Sequence, residues 1–187
     1  IDASICTLVG YAALLDFSSF VASTGAAITV TGAAINYAGN PYFNGVNVMQ
    51  GLKIKGPGDA VAGNTGVLFT GAGLLGSNDY AMRDCEVFSF DSGIILGDVA
   101  YHLLFDHCSV FLCSVAVTAQ LFSNAGARNV FHRCSIFNSD YGFALYNRSS
   151  GSTDITDCVI AGISLVCILI EGGHLSVTNC DFESGGS

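Results

Sequence analysis

Five cysteines recur in one local context, and that recurrence constrains the fold more than any other feature. The segments are MRDCEVF at Cys85, FDHCSVF at Cys108, FHRCSIF at Cys134, ITDCVIA at Cys158 and VTNCDFE at Cys180, spaced by 23, 26, 24 and 22 residues. An apolar residue stands three positions before each Cys and another two positions after it. The position just before it is always polar: Asp84, His107, Arg133, Asp157 and Asn179. VMQGLKI reads as a sixth copy with Gly51 in the cysteine slot. A second half follows about eight residues on, a small residue and then an apolar run: SGIILG around Gly93, VAVTA around Ala116, YGFAL around Gly142 and LVCIL around Val166, with NTGVLF around Gly66 earlier. A repeat of this length means a stacked array of supersecondary units.

The units are strands. The periodic segments are short, β-branched and aromatic, and Gly, Asn and Asp break them. Stacking parallel turns at one strand spacing, about 4.8 Å, sets each Cys above the last, as a ladder of thiols in a narrow core. Cys behaves there as a small hydrophobe, and parallel Cβ vectors are a poor geometry for bridging. No CxxC pair supports metal binding. The polar residue before each Cys falls where the chain turns between strands, a place suited to the left-handed conformation that Asn and Asp tolerate. Phe88, Phe111 and Phe137, three residues after their cysteines, read as a packed core column rather than an outer platform for sugar rings.

Composition agrees with a single folded domain over 1–187: regular turns over 46–183 and looser N-terminal turns over 1–45. The chain is 51% hydrophobic and 11% charged, which excludes disorder. Mean hydropathy is +0.55, but the apolar runs are far shorter than the roughly 20 residues a membrane helix needs. Fifteen acids against six bases, with only Lys53 and Lys55 close together, argue against nucleic acid. The start at Ile1, with no signal peptide, reads as part of a longer chain.

The pattern apolar-x-polar-Cys-x-apolar, followed by small-apolar-x-apolar, resembles a right-handed parallel β-helix of the pectate-lyase-like superfamily, with six or seven turns. Within it the chain is most similar to bacteriophage tailspikes and capsule depolymerases. Free thiols suit folding in a reducing cytoplasm better than secretion. With Ile94, Val117, Phe143 and Cys167 inward, Ile95, Thr118, Ala144 and Ile168 form an apolar outward strip, which the resemblance would cover in a homotrimer; a loop or a neighbouring domain would cover it equally well. The resemblance implies a virion protein that binds a bacterial capsular or O-antigen polysaccharide and cleaves it with paired carboxylates, with no cofactor. A non-catalytic adhesive β-helix and a secreted lyase, the latter using Ca²⁺, are the alternatives. The NTD, DD, GHG and RIK motifs of polygalacturonase-type members are absent.

Glycoside hydrolysis needs two carboxyls flanking the bond. Asp91, Asp98 and Asp106 are the candidate catalytic acids, with His102 beside them on neighbouring turns. Asp140, Tyr141, Tyr146 and Arg148 form a candidate sugar-binding cluster. Turn formation, a solvated loop and edge packing account for the same residues. His132 and His174 read as exposed polar positions.

Overall fold

The computed structural model describes residues 8–19, 25–32, 47–71, 77–78, 80–98, 100–119, 129–146 and 151–184. They form an all-β, right-handed parallel β-helix with no helical segment. β1 (Leu8–Asp16) and β2 (Gly25–Gly32) lie at one end, followed by β3 (Asn47–Lys55) and β4 (Asn64–Gly71). β5 (Ser77–Asn78) leads into β6 (Tyr80–Arg83), β7 (Glu86–Phe88) and β8 (Ser92–Leu96). β9 (Ala100–Tyr101) leads into β10 (Leu104–Asp106), β11 (Ser109–Phe111) and β12 (Val115–Ala119). Then come β13 (Asn129–His132), β14 (Ser135–Phe137) and β15 (Tyr141–Leu145), and next β16 (Ser152–Thr156), β17 (Val159–Ile163) and β18 (Val166–Ile170). β19 (His174–Thr178) and β20 (Asp181–Ser184) follow. Complete turns of three separate strands number about four, not six or seven. β3 runs through its corner unbroken and pairs with both β6 and β7, and β19 and β20 have no third strand after them among the described residues.

Every turn has the same plan. Its first strand ends at a single left-handed residue, the Cys points inward, and the second strand runs three residues to another left-handed residue. The third strand then leads to a loop of variable length. At the first corner Asp84, Asp157 and Asn179 have φ between 50° and 55°, as expected of Asp and Asn before the Cys, and His107 and Arg133, less obvious fits, adopt the same conformation. At the second corner Ser89, Leu112 and Asn138 have φ of 62°, 53° and 50°. The hydrogen-bond ladder goes round both corners. Asp84, His107, Arg133 and Asp157 donate their backbone N–H to the carbonyls of Asp106, His132, Thr156 and Thr178 on the next turn, at 3.0–3.1 Å. Ser89, Leu112 and Asn138 do the same to Phe111, Asn138 and Ala161. These bonds satisfy backbone groups that a bare corner would leave buried and unpaired.

The thiols fill the remaining place. Cys108, Cys134, Cys158 and Cys180 each point Sγ at the carbonyl of the residue three before the preceding cysteine: Met82, Phe105, Phe131 and Ile155, at 3.2–3.4 Å. Cys85 reaches Met49 O at 3.6 Å. A methyl of similar size would fill the column but leave these carbonyls without that weak donor. All seven described cysteines are free. Phe105 and Phe131 stack inside, with ring centroids 4.4 Å apart, and meet Phe69 and Phe143 of the third-strand sheet edge-on at 5.4 and 5.0 Å. The core is thus one continuous column of side chains.

Four features differ from those expected. Gln50 pairs with Arg83 and Lys53 with Glu86, so Leu52 occupies the cysteine slot and Gly51 the left-handed position, at φ 67°. A Cβ there would collide with the Gly10 carbonyl, so only glycine fits. Tyr141 pairs with Val166 and Phe143 with Ile168, which places Ile168 in the inward column and Leu169 outside; a one-residue slip exchanges the faces of a strand. Ile95 and Ala144 on the outward strip are only 9% and 1% exposed in the single chain, so the strip needs no second chain to bury them. Finally, Phe88, Phe111 and Phe137 lie on the outer face, half-buried, because Val87, Val110 and Ile136 beside them point in. Their rings stack face to face at 4.9 and 4.6 Å.

Burial sets the thiol chemistry: it pushes Cys85 up, and Cys113 up to about 12. Raised thiol values mean that the fold favours the protonated form. This contribution is intact below the unfolded thiol value of about 8.5 and is lost as pH rises towards 12. In a timed thiol-labelling assay at pH 8, among the described cysteines the half-buried Cys167 and Cys180 should react first, and Cys85, Cys108, Cys113, Cys134 and Cys158 only on unfolding. At the first corner, Arg133→Gly should stabilise by about 0.5–1 kcal/mol and Arg133→Val destabilise by about 1–2 kcal/mol in urea titrations, because β-branching is worst at positive φ.

Candidate functional site

The first corner turns a continuous row of polar side chains outward. Two adjacent columns run along it. One holds Gln50, Arg83, Asp106, His132, Thr156 and Thr178; the other holds Gly51, Asp84, His107, Arg133, Asp157 and Asn179. The left-handed residue turns its side chain out because the Cys after it turns in. Asp106 opens a network that runs across four turns. Its Oδ1 lies 2.9 Å from His132 Nδ1 and 3.2 Å from His107 Nδ1. The other nitrogen of His132 faces Asp157 Oδ2 at 3.4 Å, and Asn179 Nδ2 donates to Asp157 Oδ1 at 2.6 Å. Only the imidazolium form of His132 can donate to both carboxylates at once. Arg83 Nε is shielded, without a hydrogen-bond partner among the described residues.

Where the columns reach β1, the surface opens. Val9 pairs with Gln50 and Ala13 with Leu52, so Gly10, Tyr11 and Ala12 bulge out opposite the single residue Gly51. The bulge leaves Tyr11 98% exposed beside an open cleft of about 500 Å³. Gly10 and Gly51 are among its lining residues, with Gln50, Lys53, Asp84 and Glu86. Lys53 Nζ lies 2.8 Å from Glu86 Oε1, and Gln50 Nε2 donates to Asp84 Oδ2 at 3.2 Å. A free aromatic face beside two carboxylates, an ammonium and an amide can hold a polar ring with an apolar side.

The residues singled out from sequence are distributed around the solenoid. Asp91 follows the second corner, where its Oδ2 accepts the N–H of Gly63 at 2.8 Å. Asp98 and His102, both exposed, lie near the variable loop, His102 at φ 54°. Asp106 is at the first corner, so the three candidate acids occupy different corners. Asp140 shares the second corner with Asp91 and takes a hydrogen bond from Ser164 Oγ at 2.5 Å. Tyr141 and Tyr146, both half-buried, lie at the start of β15 and just after its end; Arg148 lies outside the described residues. Sequence reasoning passed over His132, Asp157, Asp84, Glu86 and Tyr11. The signal for the first three was present, since all follow from reading the two columns before each Cys as an outward surface.

Asp106 and Asp157 lie two turns apart, and an inverting glycosidase leaves a gap for water between such a pair of carboxyls. The ring of His132 fills that gap. No group of three or more His, Cys, Asp or Glu side chains among the described residues is placed to hold a metal ion. His132→Ala removes the contacts to Asp106 and Asp157 and should lower stability by about 0.5 kcal/mol, the small value expected of solvated pairs, as read from the urea midpoint. Comparison of the chain with protein-family models, with curated proteins and with solved structures finds no match. What the structure establishes is therefore the architecture, a parallel β-solenoid.

Proposed function

We propose that this chain is a carbohydrate-binding β-helix, of the pectate-lyase-like and tailspike kind, that holds an extended bacterial surface polysaccharide along its first corner. The observation that carries this reading is the cleft under Tyr11. A fully presented aromatic face stands beside Gln50, Lys53, Asp84 and Glu86, and the polar columns continue from it along the solenoid axis. Successive turns repeat at about 4.8 Å, so the strip offers donors and acceptors at regular intervals to a linear ligand. The free thiols among the described residues are consistent with a chain folded in a reducing compartment.

Binding without cleavage is the form of the proposal that the side chains favour. Asp91, Asp98 and Asp106 lie at separate corners, and the acids nearest the cleft, Asp84 and Glu86, are already engaged by Gln50 and Lys53. Affinity electrophoresis against purified capsular and O-antigen polysaccharides tests it. Wild-type protein should be retarded by at least one of them, and Tyr11→Ala should weaken that binding about tenfold, as loss of a central aromatic anchor does. Retardation by none, or an unaffected Tyr11→Ala variant, would sink the reading. New reducing ends in the incubated polysaccharide would replace it with hydrolysis.

A further inference from the structure

The charges around the cleft under Tyr11 do not balance. Its lining carries one cation, Lys53, and two acids, Asp84 and Glu86. Lys53 Nζ is committed to Glu86 Oε1 at 2.8 Å. Asp84 Oδ2 takes only an amide, Gln50 Nε2 at 3.2 Å, so its charge stays uncompensated. The neighbouring cations do not make up the difference. Lys55 pairs with Asp16 at 3.5 Å. Arg83 stands one residue before Asp84, but it does not line the cleft and its Nε is shut away from solvent. Arg133 lies two turns farther along the corner. Asp84 Oδ1 and Glu86 Oε2 have no hydrogen-bond partner among the described residues, so the cleft presents carboxylate oxygens that call for donors.

We infer, on the reading of this cleft as a carbohydrate site, that it selects neutral, hydroxyl-rich sugar units and turns away units that carry a carboxylate. A sugar hydroxyl or acetamido N–H donates to Asp84 or Glu86 as a charge-assisted hydrogen bond, stronger than one between neutral groups. The apolar side of the ring then lies against the exposed face of Tyr11. A uronic acid has the same hydroxyls, but it brings a third carboxylate to a cleft with one ammonium. Were Lys53 to turn to it, Glu86 would be left uncovered beside it, and Asp84 has no cation to offer. The whole chain, at a net charge of -9, also repels a polyanion from a distance, so the local selection has to be separated from that general field.

Affinity electrophoresis separates them. The probes are uronate-containing capsular and O-antigen polysaccharides, each run beside its carboxyl-reduced counterpart, which keeps the backbone and loses the charge. For a backbone that retards the protein, the reduced form should bind at least about fivefold tighter at low salt, the size of one like-charge contact in water. The gap should close at about 1 M salt, where charges are screened within about 3 Å. Asp84→Asn should narrow the gap, and so should Glu86→Gln, which frees Lys53. Asn tolerates the left-handed conformation of Asp84, so the corner survives the exchange. Asp181→Asn changes the net charge equally, four turns beyond Glu86, and should leave the gap as it was. Equal or tighter binding of the acidic forms, or a gap that Asp181→Asn narrows as much as Asp84→Asn, would overturn the selection and leave the carbohydrate site standing. Retardation by neither form, or binding that ignores Tyr11→Ala, would remove the site itself and the selection with it.

Discussion

The structure depends on a backbone hydrogen-bond ladder that does not stop at the corners. A parallel solenoid has to turn its chain twice between strands, and a turn ordinarily strands N–H and C=O groups beside the core. Here one left-handed residue makes each corner, and its N–H still reaches the carbonyl of the equivalent corner on the next turn. In-register stacking follows from that requirement, because a slip of one residue would break the corner bonds and reverse the inward set together. The thiol ladder is the side-chain counterpart. It lines the inside of the same corner and aims weak donors at the carbonyls there.

This explains why residues poorly suited to positive φ are tolerated. His107, Arg133 and Leu112 adopt the left-handed region at a cost of roughly 1–2 kcal/mol each, and the ladder on both sides over-determines their conformation. At the first corner the same geometry turns the side chain outward into a neighbour of opposite character. Asp106 gathers His107 and His132 in this way, and Asp157 gathers His132 and Asn179.

The cysteine spacing made the architecture legible, and the polar residue before each Cys made the first corner legible. What sequence could not supply was phase. Gly51 fits a cysteine slot by size as well as a corner by conformation, and only the pairing of Lys53 with Glu86 decides between them. Val166 and Cys167 both resemble the small residue that opens a third strand; the partners Gly142 and Phe143 settle which one it is. Phe88, Phe111 and Phe137 are apolar enough for a core, yet strand alternation beyond an inward Val or Ile puts them outside. The cleft under Tyr11 was hidden for a different reason. It arises from three residues bulging opposite one, a mismatch between strands 40 residues apart in sequence.

The separation of inside from outside within each turn has a further consequence. Core columns and corner bonds involve the backbone, the thiols and the inward apolar side chains, whereas a corner side chain meets little beyond the turns just above and below it. The outer columns are therefore editable one turn at a time: exchanging His107 or Arg133 for another side chain rewrites a local patch of surface chemistry and leaves the interior unread.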